Sequence, residues 1–306
     1  MSLSADTLLD RTRLKHQLTK WRIIAVIIAL IAALIAFDKF AKFSPVKSDY
    51  IARITIDGII TDDPKLTKLI QETADDSHAK AAIIWLDTPG GSAVGGQQLY
   101  LDLRKLSETK PTVAVMRSEA ASAGYMAALG ADRIFAREGT ITGSIGVILQ
   151  AFEFTELAQK LGVKPITIKS GPYKASPNPF EKYTEAQDEV LQSAIKDFFG
   201  WFVDIVAERR HLPRDRVVTL ADGRIYTGRQ ALETKLIDEL GGEDEAKAWL
   251  VKNKGLSSHI DIEDVKVESE DQSLFEQLTQ LANGKFGSSM LQRLDGLNAI
   301  WQPNSL

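Results

Sequence analysis

The middle of the chain runs Thr112-Val-Ala-Val-Met-Arg-Ser-Glu-Ala-Ala-Ser-Ala-Gly-Tyr-Met-Ala-Ala-Leu129. Its first five residues have the apolar, β-branched pattern of a strand, and the residues from Tyr125 onward have the pattern of a helix. Ser122 stands at the turn between them, among residues so small that the backbone can come close to a ligand. This unit predicts an α/β fold and makes Ser122 a candidate nucleophile. The start of the helix would stabilise the oxyanion that forms when the serine attacks a carbonyl group. The alternative is a packed turn in which Ser122 only caps the helix.

The same alternation of strand and helix continues on both sides of this unit. Ala81–Leu86 is a continuous apolar run, typical of a strand covered on both faces, and a helical pattern follows at Val94–Leu106. This alternation favours a largely parallel sheet. Further strands are predicted at Tyr50–Ile56, Arg133–Ala136, Gly146–Leu149, Pro165–Ile168 and Ile260–Val267. Further helices are predicted at Lys65–Thr73, Phe154–Leu161, Glu185–His211, Arg229–Leu236, Glu243–Val251, Ser273–Leu281 and Met290–Trp301, with a turn at Asp222–Gly228.

The N-terminal region contains fifteen consecutive apolar residues, Ile23–Phe37. As a helix they span about 22 Å, which is short of the roughly 30 Å of a bilayer core. Interfacial aromatic rings at Trp21 and Phe40 and a snorkelling Lys39 extend that span. We therefore predict a transmembrane anchor at residues 23–40. The alternatives are a buried core helix and a cleaved signal peptide, although residues 38–45 lack the small-residue pair that cleavage requires.

Charge gives the orientation of this anchor and narrows the choice of partners. Five basic side chains lie within residues 1–22, so the positive-inside rule places that tail in the cytoplasm. Residues 41–49 then form a linker, and the body of the protein lies on the other side of the membrane. The net charge is −4 with no basic stripe, which argues against nucleic acid as a partner. The chain has no cysteine, which excludes disulfides, thiolate catalysis and cysteine-ligated metal.

A serine nucleophile needs a base to accept its proton, and histidine is the usual one. The chain has only four histidines: His16, His78, His211 and His259. Each of them could simply be a surface residue. The Gly-x-Ser-x-Gly elbow of many Ser-His-Asp hydrolases is also absent, because Ala120 precedes Ser122 by two residues. A Ser-His-Asp triad is therefore poorly supported.

Lysine can serve serine as a base when burial lowers its pKa toward neutrality. Lys174 lies in a loop stiffened by three prolines, with the aromatic residues Tyr173 and Phe180 beside it. These rigid, apolar neighbours are the surroundings that desolvation requires, so Lys174 is the candidate base. A solvated loop lysine remains the alternative.

Acyl transfer also requires N–H donors that are aimed at the developing oxyanion. Pro89-Gly90-Gly91 directly follows a buried strand and presents backbone N–H groups without obstruction by β-carbons. The N–H of Gly91 and that of Ala123, next to Ser122, form a plausible pair. The alternative at Gly91 is an ordinary connection between a strand and a helix.

Five segments together resemble the signal peptide peptidase family, the SppA-type Ser/Lys proteases of bacterial membranes. They are Asp87-Thr-Pro-Gly-Gly91, Ala120-Ala-Ser-Ala-Gly-Tyr125, Thr142-Gly-Ser-Ile-Gly-Val147, Ser170-Gly-Pro-Tyr-Lys174 and Asp222-Gly-Arg-Ile-Tyr-Thr-Gly228. The resemblance covers about residues 50–250. Asp87-Thr88 replaces the family's common Asn-Ser pair, which leaves the backbone N–H chemistry intact.

The resemblance implies a crotonase/Clp-protease-like fold of stacked ββα units, with Ser122 as nucleophile and Lys174 as general base. It also implies that Ser144 orients the lysine, that Gly91 lies in the oxyanion hole, and that no cofactor or metal ion is needed. The implied substrates are cleaved signal peptides at the bacterial inner membrane. Half-length family members resemble rings in which serine and lysine come from neighbouring subunits, so we expect a homo-octamer with shared active sites.

The expected domain organisation is a cytoplasmic tail at 1–22, the anchor at 23–40, the linker at 41–49, a protease domain at 50–251 and a helical tail at 252–306. Two other functions fit parts of the sequence. A crotonase-like acyl-CoA hydratase or isomerase uses the same superfold and paired backbone N–H groups, but it needs neither Ser122 nor Lys174. A non-catalytic membrane scaffold would keep the motifs for packing alone.

Overall fold

The structure, a computed structural model, describes residues 18–26, 29, 48–266 and 298–300. The chain divides into two compact units, Met1–Ser48 and Asp49–Leu306. In the first unit, residues 18–26 are helical, and most of the predicted anchor at 23–40 lies outside the described residues. Across the described part of the chain, no helix is long and apolar enough to cross a membrane. Anchoring therefore stays a prediction.

The second unit alternates strands and helices, as the sequence predicts. Its strands are β1 (Tyr50–Ile60), β2 (Ala79–Ser92), β3 (Thr112–Ala121), β4 (Arg133–Ala136), β5 (Ile141–Gly143), β6 (Ile225–Thr227), β7 (Glu239–Leu240), β8 (Asp261–Val265) and β9 (Asn298–Ile300). Its helices are α1 (Pro64–Asp75), α2 (Ala93–Thr109), α3 (Ala123–Ala128), α4 (Thr155–Lys160), α5 (Glu185–Arg210), α6 (Arg214–Leu220), α7 (Gly228–Glu233) and α8 (Glu243–Lys254).

The described strands form one sheet, with the order β6-β5-β3-β2-β1-β8 along its main path. β4 pairs with β3 and β7, and β9 pairs with β2. Only β6 and β9 run antiparallel to the described strand beside them. The predicted α/β class with a largely parallel sheet is confirmed, whereas the stacking of ββα units stays a prediction.

The continuous apolar run in β2 is explained by two cores, one on each face of the sheet. Successive strand residues point to opposite faces. Ile84 and Leu86 accordingly belong to the larger buried cluster, and Ala81 and Ile83 to the smaller one. Because both faces of the sheet are covered, a polar side chain on either face would be buried away from solvent. Apolar and polar residues therefore do not alternate along this part of β2.

Small residues let α3 pack tightly beside the sheet. All six residues of this helix are buried. A β-carbon placed on Gly96 of α2 would lie only 2.8 Å from the β-carbon of Ala123, so the two helices approach each other at a distance that only glycine allows there. The cluster of alanines and glycines around Ser122 therefore has a packing role as well as giving the backbone room to turn.

Two predicted strands are wrong. Gly146–Leu149 and Pro165–Ile168 are not strands, although their sequences are apolar. Ile166 and Ile168 are 89% and 95% exposed, because no described strand lies beside them to form a ladder. Their side chains are therefore left on the surface of the described part of the chain.

The C-terminal part of the chain agrees with the prediction in one place and differs in another. β8 lies within the predicted strand Ile260–Val267 and runs parallel to β1. The predicted helix Met290–Trp301 is wrong at residues 298–300, which form β9. There, backbone pairing with the end of β2 overrides the local helical pattern. Residues 267–297 lie outside the described residues.

Candidate active site

Ser122 occupies a strained turn between β3 and α3. Its backbone angles are φ 54° and ψ −115°, a conformation that non-glycine residues rarely adopt and that costs on the order of 1–3 kcal/mol. The turn is held at both ends. The Ser122 N–H donates to the Gly143 carbonyl at 2.8 Å, and the Ser122 carbonyl accepts from the Met126 N–H at 2.9 Å. Such strain persists only where the surrounding structure enforces it, and it is often found at active sites.

The Ser122 hydroxyl lacks the partner that a structural role would give it. The residue is 1% exposed, and its Oγ has no hydrogen-bond partner in the part of the chain that the structure describes. Its side chain does not cap α3. The packed turn with a helix-capping serine is therefore wrong. A buried hydroxyl without a partner costs about 1–3 kcal/mol, so this group does not stabilise the fold.

Ser144 lies directly beside this turn. Ala121 of β3 pairs with Gly143 of β5, so the residues that follow them, Ser122 and Ser144, leave neighbouring parallel strands side by side. Ser144 also has a positive φ, 49°, and its N–H donates to the Arg224 carbonyl at 2.8 Å. The structure thus brings together two of the predicted site residues.

The predicted oxyanion residues lie at the end of β2 and the start of α3. A β-carbon on Gly91 would lie 1.8 Å from the Ile60 carbonyl oxygen, so glycine is required where β2 passes β1. Gly90, just before it, has φ 115°. Ala123 is the first residue of α3, and its N–H therefore has no helical carbonyl to donate to.

Lys174 is not joined to Ser122 within one chain. It is exposed to solvent, and its Nζ makes no hydrogen bond or ion pair with any residue that the structure describes. Tyr173 and Phe180, which the sequence expects to shield it, are about half exposed. A neighbouring lysine, Lys169, is paired with Glu181. A single chain therefore does not provide the desolvated surroundings that the sequence predicts for Lys174.

The described histidines do not take the place of the lysine. His78 pairs with Asp49 at 3.5 Å, His211 caps the C-terminal end of α5, and His259 is exposed in the turn before β8. None of them reaches the Ser122 hydroxyl, which has no partner. His16 lies outside the described residues.

A contact between two acidic residues of neighbouring strands, Asp87 of β2 and Glu119 of β3, was not predicted from the sequence. The Glu119 N–H donates to Oδ1 of Asp87 at 3.3 Å, and Arg117 pairs with Asp87 at 3.7 Å. Burial, followed by the charge of Asp87, raises the pKa of Glu119. No sequence signal identifies this contact, because Asp87 lies within β2 and Glu119 within β3, where the pairing of the two strands becomes irregular.

The end of β2 carries a further strand. β9 runs antiparallel to it, with Gly90 opposite Ile300, Gly91 opposite Ala299 and Ser92 opposite Asn298. This segment of backbone can therefore pair with an extended peptide, right at the predicted oxyanion glycine. The sequence could not reveal this pairing, since the two segments are about 200 residues apart.

Comparisons with known proteins agree on one protein family. Residues 104–257 match the description of peptidase family S49. A candidate protease of Synechocystis sp. is 40% identical over 67% of this chain and 75% of its own length. A candidate signal peptide peptidase SppA of Enterococcus faecium is 33% identical over 70% of this chain and 66% of its own length. The chloroplastic serine protease SPPA of Arabidopsis thaliana is 35% identical over 60% of this chain and 27% of its own length. The chain therefore belongs to peptidase family S49 and is a serine-type peptidase.

Proposed function

We propose that the chain is a membrane-anchored endopeptidase with a Ser122/Lys174 dyad, which hydrolyses signal peptides and similar hydrophobic peptides through an acyl-enzyme. The observation that carries this proposal is the Ser122 hydroxyl, buried without a partner in a strained turn. A structural serine would be hydrogen-bonded to its surroundings, whereas a nucleophile keeps its hydroxyl free for the base and the reacting group.

In the proposed mechanism, Oγ of Ser122 attacks the peptide carbonyl carbon while the neutral amine of Lys174 accepts the hydroxyl proton. The N–H groups of Gly91 and Ala123 stabilise the oxyanion. The lysine then donates the proton to the leaving amine, and water hydrolyses the resulting ester with the lysine again as base. Ser144 orients the lysine.

We propose that Lys174 reaches Ser122 of a neighbouring copy in a homo-octamer. Two observations support this. Lys174 is exposed and unpaired within the described part of its own chain, and Ser122 is buried without a partner. The region around the lysine also exposes apolar side chains that one chain leaves uncovered: Phe152, Leu161, Ile166, Ile168, Tyr173 and Phe180. An apolar surface of this extent is typical of an interface, and a second copy would both cover it and bury the lysine.

The pairing of β9 with β2 favours a peptide over an acyl-CoA as substrate. A peptide can add itself to the edge of a sheet through backbone hydrogen bonds. The segment Gly90–Ser92 already pairs with an extended backbone in this way. A peptide bound along it would have its carbonyl groups next to the Gly91 N–H. A hydratase or isomerase would have no use for such an edge.

We further propose that residues 23–40 anchor the chain in the bacterial inner membrane, with residues 1–22 in the cytoplasm and the domain at 50–251 on the other side. The apolar run Ile23–Phe37 and the basic residues before it support this arrangement. The similarity to a signal peptide peptidase of Enterococcus faecium supports signal peptides as substrates. An enzyme held at the membrane would meet such peptides where they are released.

A peptidase assay on the full-length protein in detergent tests the proposal. A hydrophobic peptide should be cleaved by the wild type and by Ser118→Ala, which removes an exposed serine from the same segment. Ser122→Ala should lose at least about 10⁴-fold in kcat, as loss of a serine nucleophile does in other proteases. Cleavage that persists in Ser122→Ala would disprove the proposed mechanism.

A further inference from the structure

Thr88 lies at the point where the pairing of β2 with both of its neighbours becomes irregular. The register with β1 shifts between Asp57 and Ile59, and the register with β3 shifts between Leu86 and Thr88. The side chain is fully buried, with 0% exposure. A buried threonine at such a place needs partners for its hydroxyl, and here it has two.

The Thr88 hydroxyl joins the two strands on either side of the irregularity. It donates to the Gly58 carbonyl of β1 at 2.5 Å and accepts from the Gly90 N–H at 3.1 Å. Both glycines have positive φ, 68° at Gly58 and 115° at Gly90. The Thr88 hydroxyl oxygen therefore holds the backbone in place at Gly58 and at Gly90. Gly91 directly follows Gly90.

The Thr88 methyl group contacts the other side of the site. A β-carbon on Gly124 would lie 2.7 Å from Cγ2 of Thr88, so the methyl group packs directly against this second residue of α3. Gly124 is two residues after Ser122. Thr88 thus contacts both Gly90, which precedes Gly91, and the helix α3, which begins directly after Ser122.

We propose that Thr88 is a positioning residue that sets the distance between the Gly91 N–H and the Ser122 hydroxyl. It acts through the residues that its hydroxyl and methyl group contact, Gly58, Gly90 and Gly124. This inference depends on the proposed function, in which Gly91 stabilises the oxyanion formed by attack of Ser122. The hydroxyl is bonded to the N–H of Gly90, the residue before Gly91, so its loss should act mainly on the chemical step through the position of the Gly91 N–H.

Thr88→Val tests the hydroxyl, because valine keeps the shape of threonine and leaves the Gly90 N–H without its acceptor. A displacement of about 1 Å in a reacting group can cost about 100-fold in rate. We expect kcat to fall about 10- to 100-fold while KM changes less than about threefold. Thr88→Ser keeps the hydroxyl and should retain kcat within about fivefold of the wild type.

Thr73→Val is the matched control. Thr73 is a buried threonine, 3% exposed, whose hydroxyl donates to the Leu69 carbonyl within α1. The Thr73→Val substitution removes a buried threonine hydroxyl from another part of the fold and should leave kcat unchanged. If Thr88→Val lowers the melting temperature but keeps the wild-type kcat, the residue is only structural and the inference is wrong. It is equally wrong if Thr88→Ser loses as much kcat as Thr88→Val.

Amide hydrogen exchange separates this inference from the proposed function. Exchange at Gly90 should be faster in Thr88→Val than in the wild type and in Thr73→Val, whether or not the enzyme turns over. Unchanged exchange at Gly90 would contradict the positioning role. Retained peptidase activity in Ser122→Ala, by contrast, would refute the proposed function and leave the exchange result standing.

Discussion

The N–H of Ser122 donates to the carbonyl of Gly143 at 2.8 Å. This bond ties the turn before α3 to the end of β5, and it places Ser144 next to the candidate nucleophile. Both serines have positive φ, so each side chain leaves its strand in an unusual direction. The sheet thereby fixes the two serine turns relative to each other.

The proposal that neighbouring subunits share an active site predicts complementation between inactive subunits. Ser122→Ala and Lys174→Ala should each be inactive alone, whereas co-expression in equal amounts should restore about a quarter of the wild-type activity. The reason is that, in a randomly mixed ring, about one interface in four combines an intact serine with an intact lysine. Peptidase assays on the purified mixed assembly measure this fraction.

Lys182→Ala is the control for the lysine, since Lys182 is exposed in the same loop. It should be as active as the wild type. A mixed assembly with no activity would show that serine and lysine act within one chain. Full activity of Lys174→Ala would exclude the dyad altogether.

The tail strand β9 should compete with substrate. It occupies the backbone of Gly90–Ser92, to which we propose that the peptide binds. Proline at position 299 would prevent this pairing, because proline has no N–H and is poorly tolerated in a ladder. Ala299→Pro should therefore lower KM about three- to tenfold with little change in kcat, because a larger fraction of sites is open.

Asn283→Pro places the same substitution elsewhere in the tail and should leave KM unchanged. A synthetic peptide of residues 294–306, added to Ala299→Pro, should raise KM again. If Ala299→Pro and the wild type have the same KM, the tail does not occupy the substrate site in solution.

The stability of the fold should depend on the protonation of Glu119. Burial and the nearby Asp87 raise the pKa of Glu119, so the folded state binds this proton more tightly than the unfolded state does. This contribution is present at low pH. It is lost as the pH rises from the ordinary glutamate pKa, about 4.3, through the raised value. Glu119→Gln should accordingly be more stable than the wild type at pH 7.

Chemical denaturation between pH 4 and pH 8 measures this effect, with Glu108→Gln as the control at an exposed glutamate. The stability gain of Glu119→Gln should shrink as the pH falls. A gain that is equal at all pH values would assign the effect to something other than titration of Glu119.

The sheet and the serine turn could be predicted from sequence because local patterns determine them. The apolar run at 81–86 indicates a strand buried on both faces, and both faces are in fact covered. The small residues around Ser122 indicate a tight turn, and α3 is packed closely there. In these places the local preference and the tertiary contacts agree.

Other features depend on partners that a local pattern does not contain. Ile166 and Ile168 look like strand residues, yet they have no strand beside them. β9 forms a strand only because the end of β2 lies open to it. The roles of Thr88 and Glu119 likewise follow from contacts across irregular strand pairing. The surroundings of Lys174 depend on a neighbouring chain if the proposal holds.

The most direct test of the account is to map the adduct of an acylating serine-protease inhibitor on the wild-type protein by mass spectrometry. This identifies the nucleophile without relying on any relative. We expect a single modified residue, Ser122, and no adduct in Ser122→Ala. An adduct on another side chain, with Ser122 unmodified, would contradict the central claim.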